Sequence, residues 1–368
     1  MNPLYLDANA TEPLRPAARA AAIAALEAGG NPSSVHAAGR AARRLLETAR
    51  EAVAARFGVR PRDTVFTGGG TEANALAIRG LGRGRRLLRG ATEHPAVLAA
   101  AEAGETIPVH PDGTADLEAL ARLLAEGGPA LVCLMAANNE TGVLHPLAEA
   151  AALCRAAGAL LHVDAVQAAG RLPLSLDALG ADSLALSGHK LGGPAGAGAL
   201  LLRPGLDLPP LIAGGGQERG RRGGTEPLPA IAGLAAALLP PETAAAEAAR
   251  LAALRDRIEA GIAAMAPEAV IAGAAAPRLP NTSCILLPGA PAETQVIALD
   301  LAGFRVSAGA ACSSGKVAQS PVLAAMGHGA LAGCGLRVSL PWDAPEDAPE
   351  RFLAAWAAMR MRLGQRAA

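Results

Sequence analysis

The sequence predicts an α/β protein built on a largely parallel sheet, and three observations carry that expectation. Short apolar runs alternate with longer stretches rich in Ala, Leu and Arg, the order that lays helices over the faces of parallel strands. Glycines, hydroxyls and ionisable groups gather directly after the apolar runs, where open α/β sheets hold their ligands. Apolar residues make up 51% of the 368-residue chain, enough core for two units.

Strands are expected at 64–67, 86–88, 131–135, 160–164, 183–186 and 198–202, each a short apolar run bounded by Gly, Pro or charge. Between them the Ala/Leu/Arg stretches at 34–57, 72–79, 96–101, 116–125 and 147–156 read as helices. Pro240-Pro241 followed by a long Ala/Glu/Arg helix over 242–264 marks a change of unit. Beyond it, 282–287 and 337–340 read as strands and 349–363 as a closing helix. A large unit is expected at 16–240, and a smaller α/β unit comprising 1–15 and 241–368. No internal repeat or low-complexity linker stands out beyond the alanine bias.

Charge excludes some classes of partner. The 33 basic and 33 acidic residues balance, and the arginine clusters at 83–89 and 219–222 are short, so no nucleic-acid or membrane-surface footprint is expected. The five cysteines, Cys133, Cys154, Cys284, Cys312 and Cys334, form no C-x-x-C pair, so no metal site is expected. Their odd number and wide scatter argue against a disulfide framework and favour a cytoplasmic setting. The N-terminal residues lack the basic-then-apolar pattern of a signal peptide, and every apolar run is interrupted before membrane-spanning length. A soluble protein is expected.

Chemistry concentrates in Ser187-Gly188-His189-Lys190, downstream of an apolar run ending in Asp164 and followed by Gln167. Pyridoxal phosphate needs such parts: a lysine amine for its aldehyde, a carboxylate for its pyridine nitrogen, and small donors for its phosphate. The plain alternative is a surface lysine in a glycine-rich turn and a strand-end aspartate capping a helix. Gly68-Gly69-Gly70-Thr71-Glu72 opens a helix after a strand, which suits an anion but equally an ordinary turn with Thr71 as N-cap. His94, just before Pro95, is either an imidazole against a ring or a loop histidine at a helix start. Asn138-Asn139-Glu140 offers side-chain amides at a strand end, which also make turns.

Taken together, these segments resemble the NifS/IscS-type cysteine desulfurases, pyridoxal-phosphate enzymes of the class V aminotransferase group with the type I fold. The resemblance runs nearly end to end: Tyr5-Leu6-Asp7, Asn31-Pro32-Ser33-Ser34 with His36, Gly70-Thr71-Glu72-Ala73-Asn74, Glu93-His94-Pro95 and Asn138 to Gly142. It continues through Asp164 to Gln167, Ser187 to Lys190, Gly214 to Gly220, Gly224-Thr225, Ala311-Cys312-Ser313-Ser314 and Arg337-Val338-Ser339. It implies that Lys190 carries the cofactor covalently, His94 stacks on its ring, Asp164 pairs with the pyridine nitrogen and Gln167 contacts the ring hydroxyl. Gly70, Thr71, Ser187 and His189 would hold the phosphate, with Thr225 reaching in from the other subunit of a homodimer. Asn139 and Arg337 would bind the substrate carboxylate, and Cys312 would be the nucleophile. Cys312 stands among Ala, Gly and Ser with no apolar packing role, whereas Cys133, Cys154 and Cys284 read as core residues; Cys334 is open to either reading.

The chain departs from that pattern at a few positions. Gly192 stands where a Tyr is usual, Glu12 for Thr, Gly223 for Ser and Ala310 for Ser. The segment 361–368 lacks the extended tail by which IscS-type enzymes engage their iron–sulfur scaffold, so the resemblance does not carry that partner over. The expected reaction converts L-cysteine to L-alanine and leaves a persulfide on Cys312, for delivery to an acceptor protein serving iron–sulfur cluster or other thio-cofactor assembly. The rivals are another class V enzyme, an aminotransferase or selenocysteine lyase, and a weakly active paralogue that binds a sulfur carrier.

Overall fold

The computed structural model describes residues 3–309 and 319–367. Its larger sheet has seven strands in the order Thr64–Thr67, Gly198–Leu202, Ser183–Ser187, Leu160–Asp164, Ala130–Met135, Arg86–Gly90 and Glu105–Ile107. Only Gly198–Leu202 runs antiparallel to its neighbours; the other strands share one direction. The near-continuous apolar runs follow from burial on both faces. With side chains alternating along a strand, Val132 and Leu134 enter the core on one face while Leu131 and Cys133 enter the core on the other.

The expected α/β fold with a mostly parallel sheet is what the chain adopts, and the differences are local. The helix expected from 34 spans Ala37–Phe57, because His36 caps it by accepting a hydrogen bond from the Gly39 amide at 3.3 Å. The strand expected at 337–340 spans Gly335–Ser339, placing Arg337 at its centre opposite Cys284. Sequence periodicity misses the helices Pro16–Ala28 and Leu228–Ala237, which pack on one another. Both are so rich in small residues that no apolar stripe stands out. Gly233 lets Leu228–Ala237 pack closely, since a Cβ there would lie 2.6 Å from Pro194 Cγ and 3.1 Å from the Ala18 carbonyl oxygen.

A second, four-stranded sheet runs Ser307–Ala308, Gly335–Ser339, Thr282–Leu286 and Val270–Ile271. Its core is closed by Leu254, Ile258 and Ile262 of the long helix Pro241–Met265 and by Phe352 and Trp356 of the closing helix Ala348–Ala367. The N-terminal strand Leu4–Tyr5 pairs in parallel with Phe304–Arg305, and Asp7 bridges to Ser339. Asn9, Ala10 and Thr11 are thereby carried to the mouth of the larger sheet.

One buried ion pair ties a glycine-rich segment to that sheet. The Arg50 guanidinium donates to both Glu218 carboxylate oxygens at 2.6 and 2.7 Å, and the Phe66 amide donates to Oε2 at 2.9 Å. Glu218 and Arg219 hold left-handed backbone conformations (φ 49° and 57°) that few non-glycine residues adopt, so the pair stabilises a strained turn. Removing either partner strands a buried charge, at a cost of about 3–5 kcal/mol. Among the described residues, no single helix is long and apolar enough to cross a membrane.

Candidate active site

A cleft of about 1130 Å³ opens where the strands of the larger sheet end, and the second sheet closes its side. Every parallel strand but the short edge Glu105–Ile107 sends functional groups into it from its carboxyl end, as open α/β sheets do. Gly70, Thr71, His94, Asn139, Asp164, Gln167, Ser187, His189 and Lys190 all line it, and Arg337 enters from the second sheet. Thr225 is exposed and is not among the residues lining its own chain's cleft. Cys312 lies outside the described residues.

The glycine turn after Thr64–Thr67 starts its helix at Gly70, with Gly69 as N-cap and no side-chain cap. Thr71 is therefore in the first turn and is not the N-cap. A Cβ on Gly70 would sit 2.6 Å from Val166 Cγ2 and 3.3 Å from Ser187 Cβ, so only glycine lets these strand ends meet. The helix thus presents unpaired amides and its positive end to the cleft. His94 caps the helix Pro95–Ala100, its Nδ1 accepting from the Ala96 amide at 3.1 Å, while its ring lines the cleft. The capping and functional readings of this residue hold together. Burial lowers its pKa; Asp164 opposes that shift and Lys190 reinforces it.

Asp164 ends its strand buried, and burial raises its pKa. The Val166 amide donates to Oδ1 at 2.9 Å and the Asn74 amide nitrogen to Oδ2 at 2.7 Å, both favouring the anion. Because Asn74 gives its NH₂ to the carboxylate, its Oδ1 faces His162 Nε2 at 2.9 Å and requires a proton there. His162 Nδ1 then accepts from the Ser183 hydroxyl at 2.8 Å. Burial pushes this histidine down to about 3, so it remains neutral.

Lys190 ends a short 3₁₀ turn, and its ammonium donates to the carbonyls of Asn9 and, at 2.8 Å, Ala10. Burial, then the Arg337 and Arg171 charges, bring its pKa down to about 8 against the pull of Asp7 and Asp164. A lysine so placed reacts as a neutral amine far more readily than an exposed one. Arg337 donates to Asp7 Oδ1 at 2.7 Å and to the Asn139 carbonyl at 3.0 Å, while its buried Nε has no partner among the described residues. His189 sits 2.9 Å from the Thr11 hydroxyl, and burial lowers it to about 4.

Several contributors escape sequence reasoning. The Asn9 carbonyl accepts from Lys190 and, at 3.0 Å, from Gln167 Nε2, while the Asn9 side-chain NH₂ donates to the Asn139 carbonyl at 3.2 Å. Arg171 holds the Gln167 side-chain oxygen at 2.8 Å and Glu12 Oε2 at 2.8 Å, giving the unusual Glu12 a purpose. No local signal marks this pair, which closes across 159 positions. His162 could have been found, because it precedes Asp164 by two positions on the same strand face. Gly192 has φ 85°, and a Cβ there would lie 2.7 Å from Arg15 Cγ, so the tyrosine usual at this position has no room. At Gly223 a Cβ would meet the Gly214 main chain, with Cα at 2.6 Å.

Of the other thiols, Cys133, Cys154 and Cys284 are buried and Cys334 is half-buried. Burial pushes Cys154 and Cys284 up to about 12 and Cys133 well above its ordinary value, which makes them poor nucleophiles.

Residues 4–350 match the family model described as aminotransferase class V. The cysteine desulfurase of Cereibacter sphaeroides is 45% identical, over 90% of this chain and 90% of that protein. The IscS-like cysteine desulfurase of Mycobacterium tuberculosis is 39% identical, over 91% of each. Among solved structures, a NifS-like protein from Rickettsia africae superposes with a TM-score of 0.91 at 33% identity, covering 98% of this chain and all (100%) of that one. The structure of SspA in complex with cysteine superposes at 0.79 with 28% identity, covering 92% of this chain and 99% of that one.

Proposed function

The chain belongs to the class V aminotransferase family, and on that premise we propose that it is a pyridoxal-phosphate-dependent cysteine desulfurase. The single observation that carries the reading is the convergence of Lys190, Asp164, His94 and Arg337 on one cleft. The donor set fits the cofactor. A buried carboxylate propped by two donors suits a pyridinium, Lys190 supplies an amine for the aldehyde, and the Gly70 turn with Ser187 and His189 supplies an anion cradle. The Arg337 Nε, unpartnered among the described residues, suits a substrate carboxylate beside Asn139.

When bound, pyridoxal phosphate withdraws electrons from the substrate Cα and makes its C–S bond breakable. Asp164 would hold the proton on the ring nitrogen, its carboxylate aimed by the Asn74–His162–Ser183 chain. His94 would face the ring, Arg337 and Asn139 would orient the substrate carboxylate, and the Lys190 amine would move the Cα proton. The Cys312 thiolate takes the substrate sulfur: its S–S bond forms as the C–S bond breaks, and the carbon gains a proton. Cysteine plus a thiol thus become alanine plus a persulfide.

The homodimer, with Thr225 at the partner's cofactor, is part of this proposal, supported by Thr225 being exposed and away from its own cleft. So is the division into 16–240 and 1–15 with 241–368, supported by the pairing of Leu4–Tyr5 with Phe304–Arg305. An acceptor protein would take the sulfur onward, and a cytoplasmic location completes the reading.

Product analysis tests it. With pyridoxal phosphate and a reducing thiol, cysteine should yield alanine and sulfide in equal amounts, whereas an aminotransferase would yield a keto acid. The Lys190 pKa gives a second check. Its ammonium cannot add to an aldehyde, so cofactor uptake by the ligand-free protein should rise with pH through about 8 and level off above it. Uptake that stays flat from about pH 7 to 9.5 would contradict a lysine lowered as Lys190 is.

A further inference from the structure

A side-chain amide can face its surroundings in either of two ways, and the neighbours of Gln167 favour one. After the strand Leu160–Asp164 the chain turns through Gly170, at φ 79°, and Arg171 comes back to Gln167. A Cβ at Gly170 would lie 2.7 Å from Cδ2 of Leu191, so a side chain there would press on the residue that follows Lys190. The Arg171 guanidinium donates to the Gln167 carbonyl at 3.0 Å and to its side-chain oxygen at 2.8 Å. A guanidinium only donates, so the atom it meets is Oε1 and the NH₂ turns the other way. There Nε2 donates to the Asn9 carbonyl at 3.0 Å. Turned over, the amide would set donor against donor and oxygen against oxygen. One N–H of Gln167 is spent on Asn9, and the second is left for the cleft that Gln167 lines.

The guanidinium is itself fixed. It is buried and donates to Glu12 Oε2 at 2.8 Å and to the Ala8 carbonyl at 3.4 Å. The Trp342 amide donates to Glu12 Oε1 at 2.8 Å, so one buried carboxylate reaches from just past the strand Gly335–Ser339 to the wall of the cleft. Burial raises the Glu12 pKa, with the Arg171 charge and the Trp342 bond opposing.

We propose that Arg171, held by Glu12, is a positioning residue for the cofactor: it locks the Gln167 amide so that the free N–H, and not the oxygen, faces the ring hydroxyl. The inference rests on the pyridoxal-phosphate reading above. An N–H facing that oxygen favours its ionised form, whereas an amide oxygen favours the protonated one. Neither Arg171 nor Glu12 is among the residues lining the cleft, so both act through Gln167. A buried ion pair roughly offsets its own desolvation, and what this one secures is geometry more than stability.

The test follows the absorbance of the full-length, cofactor-loaded protein against pH, without substrate, and reads the midpoint at which the bound cofactor ionises. Arg171→Met alone strands the Glu12 carboxylate, so it is combined with Glu12→Gln, which keeps an oxygen for the Trp342 amide and leaves no buried charge. This double variant should raise the midpoint by about 0.5–1 pH unit, because Gln167 Oε1 has lost its donor and turns to the ring hydroxyl. Arg171→Lys, which keeps the charge beside Glu12 but lacks the fork, should raise it by a smaller step. Gln167→Ala should raise it as well, and adding the double change to Gln167→Ala should then move it by less than about 0.2 unit, since nothing remains for Arg171 to position. The other charged and titratable groups around Lys190, namely Arg337, Asp7, Asp164, His94 and His189, are unchanged in every variant. An equal shift with and without Gln167 would show a charge acting directly on the cofactor and would overturn the proposal. So would wild-type midpoints in the double variant and in Arg171→Lys. If the wild type binds no pyridoxal phosphate, the reading above falls and this proposal with it. If it binds the cofactor but forms no alanine, only the desulfurase assignment falls, and the midpoints still decide the role of Arg171.

Discussion

Lys190→Ala should lose cysteine turnover by about a thousandfold or more, because among the described residues no other lysine amine lines the cleft. The variant should still fold. Its cost is the loss of two hydrogen bonds from the ammonium to the Asn9 and Ala10 carbonyls, about 1–2 kcal/mol. The Asn9 carbonyl keeps its Gln167 partner, so it is not orphaned. Judged from sequence alone this lysine should be nearly neutral for stability; the structure adds its tie to the N-terminal segment. Alanine formation under saturating cysteine, together with a denaturant melt, measures both effects. Turnover retained in Lys190→Ala would remove the central assignment of the cleft.

Cys312→Ser should bind cofactor and cysteine as the wild type does and show the same early absorbance change, yet form almost no alanine. A serine hydroxyl stays protonated near neutral pH and is a far weaker nucleophile toward a thiol sulfur, so only the step after proton transfer fails. The structure strengthens the controls. Cys133, Cys154 and Cys284 are buried with raised pKa values, so their alanine variants should keep activity and lose at most about a kcal/mol or so of stability. Cys334 is half-buried a few residues before Arg337 and is the informative fourth control. Stopped-flow absorbance paired with quenched-flow alanine measurement separates the two steps. Full alanine production by Cys312→Ser would assign the nucleophile elsewhere.

The central sheet was legible because strands buried on both faces must be apolar along their length, and their carboxyl ends then name the cleft. The edge strand Glu105–Ile107 was not, since two of its three residues are polar. Helices Pro16–Ala28 and Leu228–Ala237 were hidden by alanine, which packs closely without marking a face. Within the site, side chains that act directly were readable by type: lysine, aspartate, histidine and arginine at strand ends. Those that act through others were not. The Asn9 carbonyl meets Gln167 across 158 positions, and the Asn74–His162 bond closes across 88. The Glu12–Arg171 bond closes across 159. No local pattern announces a partner that far away.

The most direct measurement is mass spectrometry of the protein after brief anaerobic exposure to cysteine. The account predicts one added sulfur atom, on the peptide that contains Cys312, appearing at the rate of the first alanine formed. A persulfide confined to another cysteine, or alanine formed with no sulfur added to the protein, would contradict it.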